Sequence, residues 1–401
     1  MPAFPALSET FVYREIVALQ YRGATIGLCA LYDGSGTDVD TPDLDSLLIL
    51  YKNGFFHLIG ALLKFALQHP ITTLKTFATL LGDLAQVGPL SRHARALFYQ
   101  FVAAFRLASH LKQHNYRHIH AHFAHSPTQV AMYAASLARV SFSFTGHAND
   151  IYERGILLKE KASRATQMVT ISDFNKRHLL AQGVSSDKVS VVRAILTFPT
   201  RTPQERDNNQ RLRIGSLGRL VGKKGMDTLL SSLTHLTDHE LAKLTVEIGG
   251  DGPQRSELEA LAETLRPRGV KIDFLGQIPS QNVSDWMQSL DAFVLACRQT
   301  NEGDVDGIPV VLMEAVAVGV PVISTSISGV TELIEPNVGG QIGQPDSALD
   351  VADGIRAVMN EPDKVLALAN SAQQRLRDEF DPDLNLDRLI SVAFTKGKQN
   401  G

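Results

Sequence analysis

The stretch Asp306-Gly307-Ile308-Pro309-Val310-Val311-Leu312-Met313-Glu314-Ala315-Val316-Ala317-Val318-Gly319-Val320-Pro321-Val322 reads as a loop, a helix and the strand that follows it. Pro309 suits the first helical turn, where its missing N–H is not needed. The apolar helix then carries a single acid, Glu314, about one turn inside. A carboxylate in such company is costly without donors, so Glu314 calls for hydroxyls or a cation, from a ligand or from within the protein. The run from Val320 to Ser324 is apolar on both faces, as a strand buried in a parallel sheet requires.

The same alternation extends outward. In the second half, strands are predicted at Arg213–Leu217, Leu244–Ile248, Ile272–Leu275 and Ala292–Leu295, with helices between them. In the first half they are predicted at Thr25–Leu31, His118–His122, Ser141–Thr145, Met168–Ile171 and Val189–Val192, with long helical patterns from beyond Gly36 to about Gln113. Strands alternating with helices imply parallel sheets covered on both faces, and 401 residues supply two such cores. Thr197–Gln210, polar and interrupted by Pro199 and Pro203, is the linker. The expected organisation is an α/β protein of two doubly wound domains, 1–198 and 199–380, with 381–401 a C-terminal helix packing back toward the first. In such sheets ligands collect beyond the carboxyl ends of the strands.

Composition narrows the function classes. Cys29 and Cys297 are the two cysteines and have neither metal-ligand nor redox spacing. The N-terminus lacks a basic region followed by an apolar core, and no run of eighteen apolar residues occurs, so the expected location is cytoplasmic. The net charge of −3 conceals an asymmetry: residues 1–195 carry 19 Lys and Arg against 13 Asp and Glu, leaving the remainder acidic. From Lys52 to His120 eight cations accompany one acid, Asp83, interleaved with Phe55, Phe56, Leu63, Leu67 and Phe77 at helical spacing. That mixture suits either core helices with a solvated basic face or an anionic membrane surface, rather than nucleic acid.

Four loops are candidates for chemistry. Gly215-Ser216-Leu217-Gly218-Arg219-Leu220-Val221-Gly222-Lys223-Lys224-Gly225 leads from a strand into a glycine-rich turn with cations for a diphosphate, but lacks the Gly-Lys-Ser/Thr ending of a P-loop. Gly249-Gly250-Asp251-Gly252-Pro253 invites a dinucleotide reading, yet Arg255 stands where the third glycine belongs, which disfavours a nicotinamide oxidoreductase. Ser324–Glu332 can offer backbone amides to phosphate. Thr145-Gly146-His147-Ala148-Asn149-Asp150 puts a histidine at a strand's carboxyl end. His118, His120, His122 and His125 alternate nearby; without an acid or thiol beside them in sequence, packing and hydrogen bonding are favoured over zinc.

Together, G-R-L-V-G-K-K-G, G-D-G-P, D-G-I-P-V-V-L-M-E-A, G-V-P-V-I-S-T and S-G-V-T-E resemble glycosyltransferase family 4, retaining enzymes of the GT-B fold. F-P-A-L-S-E-T-F, H-A-H-F and F-T-G-H-A-N-D resemble its colanic acid and exopolysaccharide branch. The resemblance implies transfer of a sugar from a UDP- or GDP-sugar to a lipid-linked oligosaccharide at the inner face of an anionic membrane. The nucleotide-sugar is a substrate, and neither cofactor nor metal is implied. Arg219 and Lys224 would hold the diphosphate, aided by Ser328, Gly329 and Val330; Glu314 would hold the ribose; Gly276, Gln277 and Ile278 would border the base; His147 and Asp306 would act at the sugar.

Two departures stand out. Asp306 replaces the family's usual Glu, one methylene longer, and only Met1–Ala3 precede Phe4 where the family has a first strand, so that strand is expected to be missing. Asp304-Val305-Asp306 matches the metal-binding Asp-x-Asp of a different glycosyltransferase fold, but no further ligand accompanies it. The alternative reading is a non-catalytic nucleotide-binding relative acting as an assembly subunit.

Overall fold

The computed structural model describes residues 1–6, 10–34, 44, 46–153, 155–194 and 211–395. The chain divides into two units, Met1–Ile195 with Pro382–Gly401, and Leu196–Asp381. The expected linker, Thr197–Gln210, lies outside the described residues.

The first unit contains β1 (Ala3–Phe4), α1 (Thr10–Tyr21), β2 (Gly27–Ala30), β3 (Tyr32–Asp33), β4 (Ser46–Ile49), α2 (Gly54–Gln68), α3 (Pro70–Val87), α4 (Arg92–Gln113), β5 (His118–His122), α5 (Ser126–Ala138), β6 (Ser141–Gly146), β7 (Met168–Thr170) and β8 (Val189–Val191). Every strand pairing among the described residues is parallel: β1 with β3, β2 with β4, and β5-β6-β7-β8 in one sheet. The core forms where α4 and α5 lie on that sheet, filled by Phe101, Phe105, Tyr133 and Phe144. The lone acid of the basic region, Asp83, is buried there, bound by the Arg164 guanidinium at 2.7 and 2.9 Å and by the Tyr133 hydroxyl at 2.8 Å.

Strand β4 has no counterpart in the sequence reading, because the short apolar run Ser46–Ile49 has no period that separates strand from helix. At the N-terminus, where the sequence reading expects the first strand to be missing, the described residues form a short pairing. Ala3–Phe4 is a two-residue strand on β3, the Met1 carbonyl accepts from Leu31 N–H at 3.1 Å, and the Met1 amine donates to the Cys29 carbonyl at 3.0 Å. Among the described residues, β2 and β5 share no pairing.

The helix Pro382–Leu389 belongs to the first unit. Leu386 packs on Leu19, Arg22 bridges Asp383 and Asp387 at 2.8 Å each, and Asn385 Oδ1 accepts from Arg193 N–H at 3.0 Å.

The second unit is one parallel sheet of six strands: β9 (Leu212–Leu217), β10 (Leu244–Gly249), β11 (Lys271–Gly276), β12 (Ala292–Leu295), β13 (Val322–Thr325) and β14 (Gln341–Gly343). Their order is β11-β10-β9-β12-β13-β14. Chain direction across the sheet reverses between β9 and β12, the switch point where an open α/β sheet leaves a crevice at its carboxyl edge. Strand β14, whose sequence Gln-Ile-Gly carries no strand pattern, was not foreseen.

Candidate functional site

In the second unit the loop after β9 sits at that switch point. Gly225 has φ +64°, and a Cβ there would stand 1.8 Å from the Ala296 carbonyl, so only glycine lets the loop close onto the end of β12. Gly250 has φ +113° and lies against the Gly218 backbone. These glycines serve loop-to-loop packing.

The loop presents three cations. Arg219 is exposed, and Lys223 and Lys224 turn toward the Asp304–Asp306 segment. Lys224 Nζ lies 2.6 Å from Asp306 Oδ2; Lys223 Nζ lies 3.2 Å from Asp306 Oδ1 and 3.1 Å from Asp304 Oδ1. Burial alone would raise the Asp306 carboxyl, but the two ammoniums outweigh it and hold it below the usual range. Burial likewise opposes charge on Lys224, and Asp306 reverses that, so Lys224 stays cationic. The structure thus places two expected ligand groups, Lys224 and Asp306, on one another.

The Ser324–Glu332 loop is tied to the same segment. Ser328, at φ +47°, donates through its hydroxyl to the carbonyls of Asp306 (2.5 Å) and Gly307 (2.8 Å). Gly329 N–H donates to Gly307 O at 3.0 Å and Val330 N–H to Ile327 O at 3.0 Å, so these two amides hold the loop itself. Glu314 is half-buried on the helix Val310–Ala317, behind Pro309. Gly276, at φ +66°, accepts from Gly250 N–H at 2.6 Å, which sets the Gly276-Gln277-Ile278 turn beside the Gly249–Gly252 turn at the carboxyl ends of β10 and β11.

In the first unit His147 follows β6. Its backbone N–H donates to Asp150, its carbonyl accepts from the Asn175 amide, and its ring lies among Phe11, Phe123 and His122. Burial lowers His147 to about 4, leaving it a neutral imidazole. Asp150 also accepts from Ala124 N–H at 2.6 Å and Ala148 N–H at 3.0 Å, joining the loops after β5 and β6. Beside it Lys161, buried and lowered to about 7 by desolvation, donates to the carbonyls of Ala124 and Ile156. The His-Ala-Asn-Asp spacing could have flagged Asp150 as a backbone-binding turn residue; Lys161 has no such signal.

The alternating histidines form a hydroxyl ladder. His118 bonds Ser141 and Ser143, and His120 bonds Ser143 and Thr145, all within 2.7–2.8 Å. His122 Nε2 lies 3.1 Å from Glu15 Oε1. Burial lowers His120 and His122 each to about 3. The acid that the sequence reading did not find near these histidines is Glu15, brought in by α1. Ligand atoms of Glu15, His120 and His122 lie within 4.8 Å of one another, a set able to hold a metal ion.

On α2 and α3 a broad apolar face is exposed: Phe56 is 91% accessible, Leu67 85% and Leu74 70%, beside exposed Lys64 and Lys75. These helices therefore do not simply present a solvated basic face over core packing. No helix among the described residues is long and apolar enough to cross a membrane.

Comparison with known proteins bears on both units. Residues 198–375 match Glycosyl transferases group 1, and residues 80–194 match Glycosyltransferase Family 4. Escherichia coli K12 WcaL, a colanic acid biosynthesis glycosyltransferase by name, is 26% identical over 97% of each chain. The amylovoran biosynthesis glycosyltransferase AmsK of Erwinia amylovora is 28% identical over 61% of this chain and 62% of its own. A Campylobacter jejuni N-acetylgalactosaminyltransferase, named for an undecaprenol-diphosphate-linked substrate, is 28% identical over 63% and 68%. Among solved structures, Anabaena HepE in complex with UDP and glucose superposes with a TM-score of 0.67 at 16% identity, covering 96% of this chain and 95% of its own.

Proposed function

We propose, from the two family models that it matches and its similarity to WcaL, that the chain is a family 4 glycosyltransferase of GT-B fold that transfers a sugar with retention of configuration and without a metal, from a UDP- or GDP-sugar to a lipid-linked glycan. The observation that carries the proposal is the Arg219, Lys223 and Lys224 loop at the switch point of the second unit. The bond from the anomeric carbon to the diphosphate breaks, and negative charge grows on the leaving oxygens. Arg219 and Lys224 neutralise it where it develops.

Lys224 starts on Asp306, so donor binding exchanges one anion for another. Asp304 and Asp306 already face ammoniums, which supports a reaction that relies on lysine and arginine for charge. It also leaves Asp306 ill-suited as a nucleophile and favours a front-face route, in which the leaving phosphate accepts the acceptor hydroxyl's proton while the new bond forms on the same face. Glu314 binds the ribose hydroxyls, the Gly276-Gln277-Ile278 turn borders the base, and neutral His147 orients the sugar. Ser328, Gly329 and Val330 support the diphosphate by shaping the loop.

The acceptor is reached at the membrane. The exposed apolar residues of α2 and α3, flanked by lysines, fit an anionic lipid surface. AmsK and the Campylobacter transferase, with the substrates their names give, support an exopolysaccharide or lipid-linked product. Donor turnover by Arg219→Ala tests the electrostatic account: a loss of about 10²-fold is expected, and activity within twofold of the unchanged protein would refute it.

A further inference from the structure

Four aromatic rings of the first unit form a row at its surface. Tyr32 of β3, Tyr51 just past β4, Tyr99 of α4 and Phe55 in the first turn of α2 follow one another with ring centroids 5.1, 5.0 and 5.8 Å apart. The two ends are open, Tyr32 57% and Phe55 43% exposed, while Tyr51 and Tyr99 rest half-buried against the core. The hydroxyls set this row apart. Elsewhere in the unit Tyr13, Tyr116, Tyr133 and Tyr152 spend theirs on Ala6, Ser46, Asp83 and Asn175 respectively. Among the described residues the hydroxyls of Tyr32, Tyr51 and Tyr99 have no such partner, although a buried phenol normally finds one. Burial, with the neighbouring phenols, raises Tyr51 and Tyr99 above the ordinary tyrosine value, so each keeps the proton it can donate. Lys52, next in the chain to Tyr51, lies 3.9 Å from the carboxylate of Asp33, next to Tyr32, so charge beside the row is balanced.

We propose that this row is a pyranose-binding platform that receives the glycan part of the acceptor. Ring faces carry the negative side of the aromatic quadrupole, and a pyranose lays against them a face of C–H groups with partial positive charge. Its hydroxyls then project at the rim, where the three phenols can donate and accept. Other ligands fit worse: a lipid chain would leave the phenols unpaired, and a diphosphate would find Lys52 already committed to Asp33. The inference rests on the lipid-linked acceptor proposed above, and α2 connects the two parts of such a molecule. Phe55 ends the row, and Phe56, the next residue, opens the exposed apolar face that continues through Leu63 and Leu67. Sugar and lipid of one acceptor thus meet adjoining surfaces of one unit. The Arg219, Lys223 and Lys224 loop, which takes the donor, belongs to the other.

The test reads the tyrosines directly, by fluorine NMR of the whole chain labelled with fluorotyrosine and assigned by single replacements with Phe. The probes are neutral glycans freed by mild acid from a membrane lipid extract, UDP-glucose, and phosphatidylglycerol vesicles. The glycans are expected to shift the resonances of Tyr32, Tyr51 and Tyr99 and to leave those of Tyr133 and Tyr152 in place. Tyr32→Ala is expected to weaken glycan binding about two- to tenfold, the worth of one ring contact. Tyr51→Phe, which keeps the ring and strands no partner, should weaken it about fivefold, and neither variant should change affinity for UDP. No shift with the glycans, or a shift produced by UDP-glucose or the vesicles instead, would overturn the platform. The two readings fail separately. Sugar transfer to the extract with an acceptor KM unchanged by Tyr32→Ala and Tyr51→Phe removes the platform and leaves the transferase, whereas glycan-induced shifts without nucleotide release from any donor keep the platform and remove the transferase.

Discussion

Replacing Asp306 by Asn separates the two roles of the lysine loop. The carboxylate lies 2.6 Å from Lys224 Nζ and 3.2 Å from Lys223 Nζ, and all three side chains are less than one-fifth exposed. Removing one partner of a buried pair costs about 3–5 kcal/mol, chiefly for the charge left behind. The lower end applies, because Lys223 keeps Asp304 at 3.1 Å while only Lys224 is stranded. About 3 kcal/mol corresponds to a fall of roughly 6–12 °C in Tm for a domain of this size. A nucleoside diphosphate supplies what the stranded ammonium lacks and no longer has to displace Asp306. Affinity for the matching UDP or GDP is therefore expected to rise about 10- to 100-fold, by the conversion of 1.4 kcal/mol per tenfold, while turnover falls because the sugar contact is lost. Thermal-shift and calorimetric titrations of both proteins read all three effects. A lower Tm with unchanged or weaker nucleotide affinity would show that the pair is only structural and that Lys224 does not hold the diphosphate.

Other expectations follow from the same geometry. His120, His122 and His147 are neutral in the folded state down to about pH 3–4 but bind protons near 6.5 when unfolded. Their contribution is fully present above 6.5 and is lost as pH falls below it, at up to about 1.4 kcal/mol per unit for each, with Glu15, raised by burial, offsetting part; urea midpoints from pH 7 to 5 should drop, and a flat profile contradicts the burial argument. Asp150→Ala removes the acceptor of the Ala124, His147 and Ala148 amides, and a loss of about 3 kcal/mol or more is expected in urea unfolding. Phe56→Ser with Leu67→Ser should abolish flotation with anionic vesicles and leave release of free nucleotide from the donor unchanged; undiminished flotation would place the membrane contact elsewhere.

Much of this molecule is legible in its sequence because parallel strands covered on both faces write themselves as apolar runs. His118–His122 and Ala292–Leu295 are strands from end to end as read. What escapes is what depends on distant pairing. Ser46–Ile49 becomes a strand only because β2 offers it an edge, and Gln341–Gly343 because β13 does. The same holds in the candidate site. Lys224 and Asp306 are both visible in the motifs, but their mutual pairing, 82 positions apart, is a product of the β9–β12 switch point. Glu15 meets His122 across 107 positions, a separation no local spacing rule can bridge. Glycine is ambiguous for a physical reason: an open φ and a close phosphate demand the same residue, and at Gly225 and Gly250 the close neighbour is backbone.

The central claim is best tested by nucleoside diphosphate release from a panel of UDP-, GDP- and ADP-sugars, with and without membrane lipid extract, using Glu314→Ala and Lys224→Ala as blanks. The account predicts release from one UDP- or GDP-sugar, stimulated by the extract and lost in both blanks, with the sugar recovered on lipid in the anomeric configuration of the donor. Nucleotide binding without release from any donor would contradict it and make the chain a nucleotide-binding subunit instead.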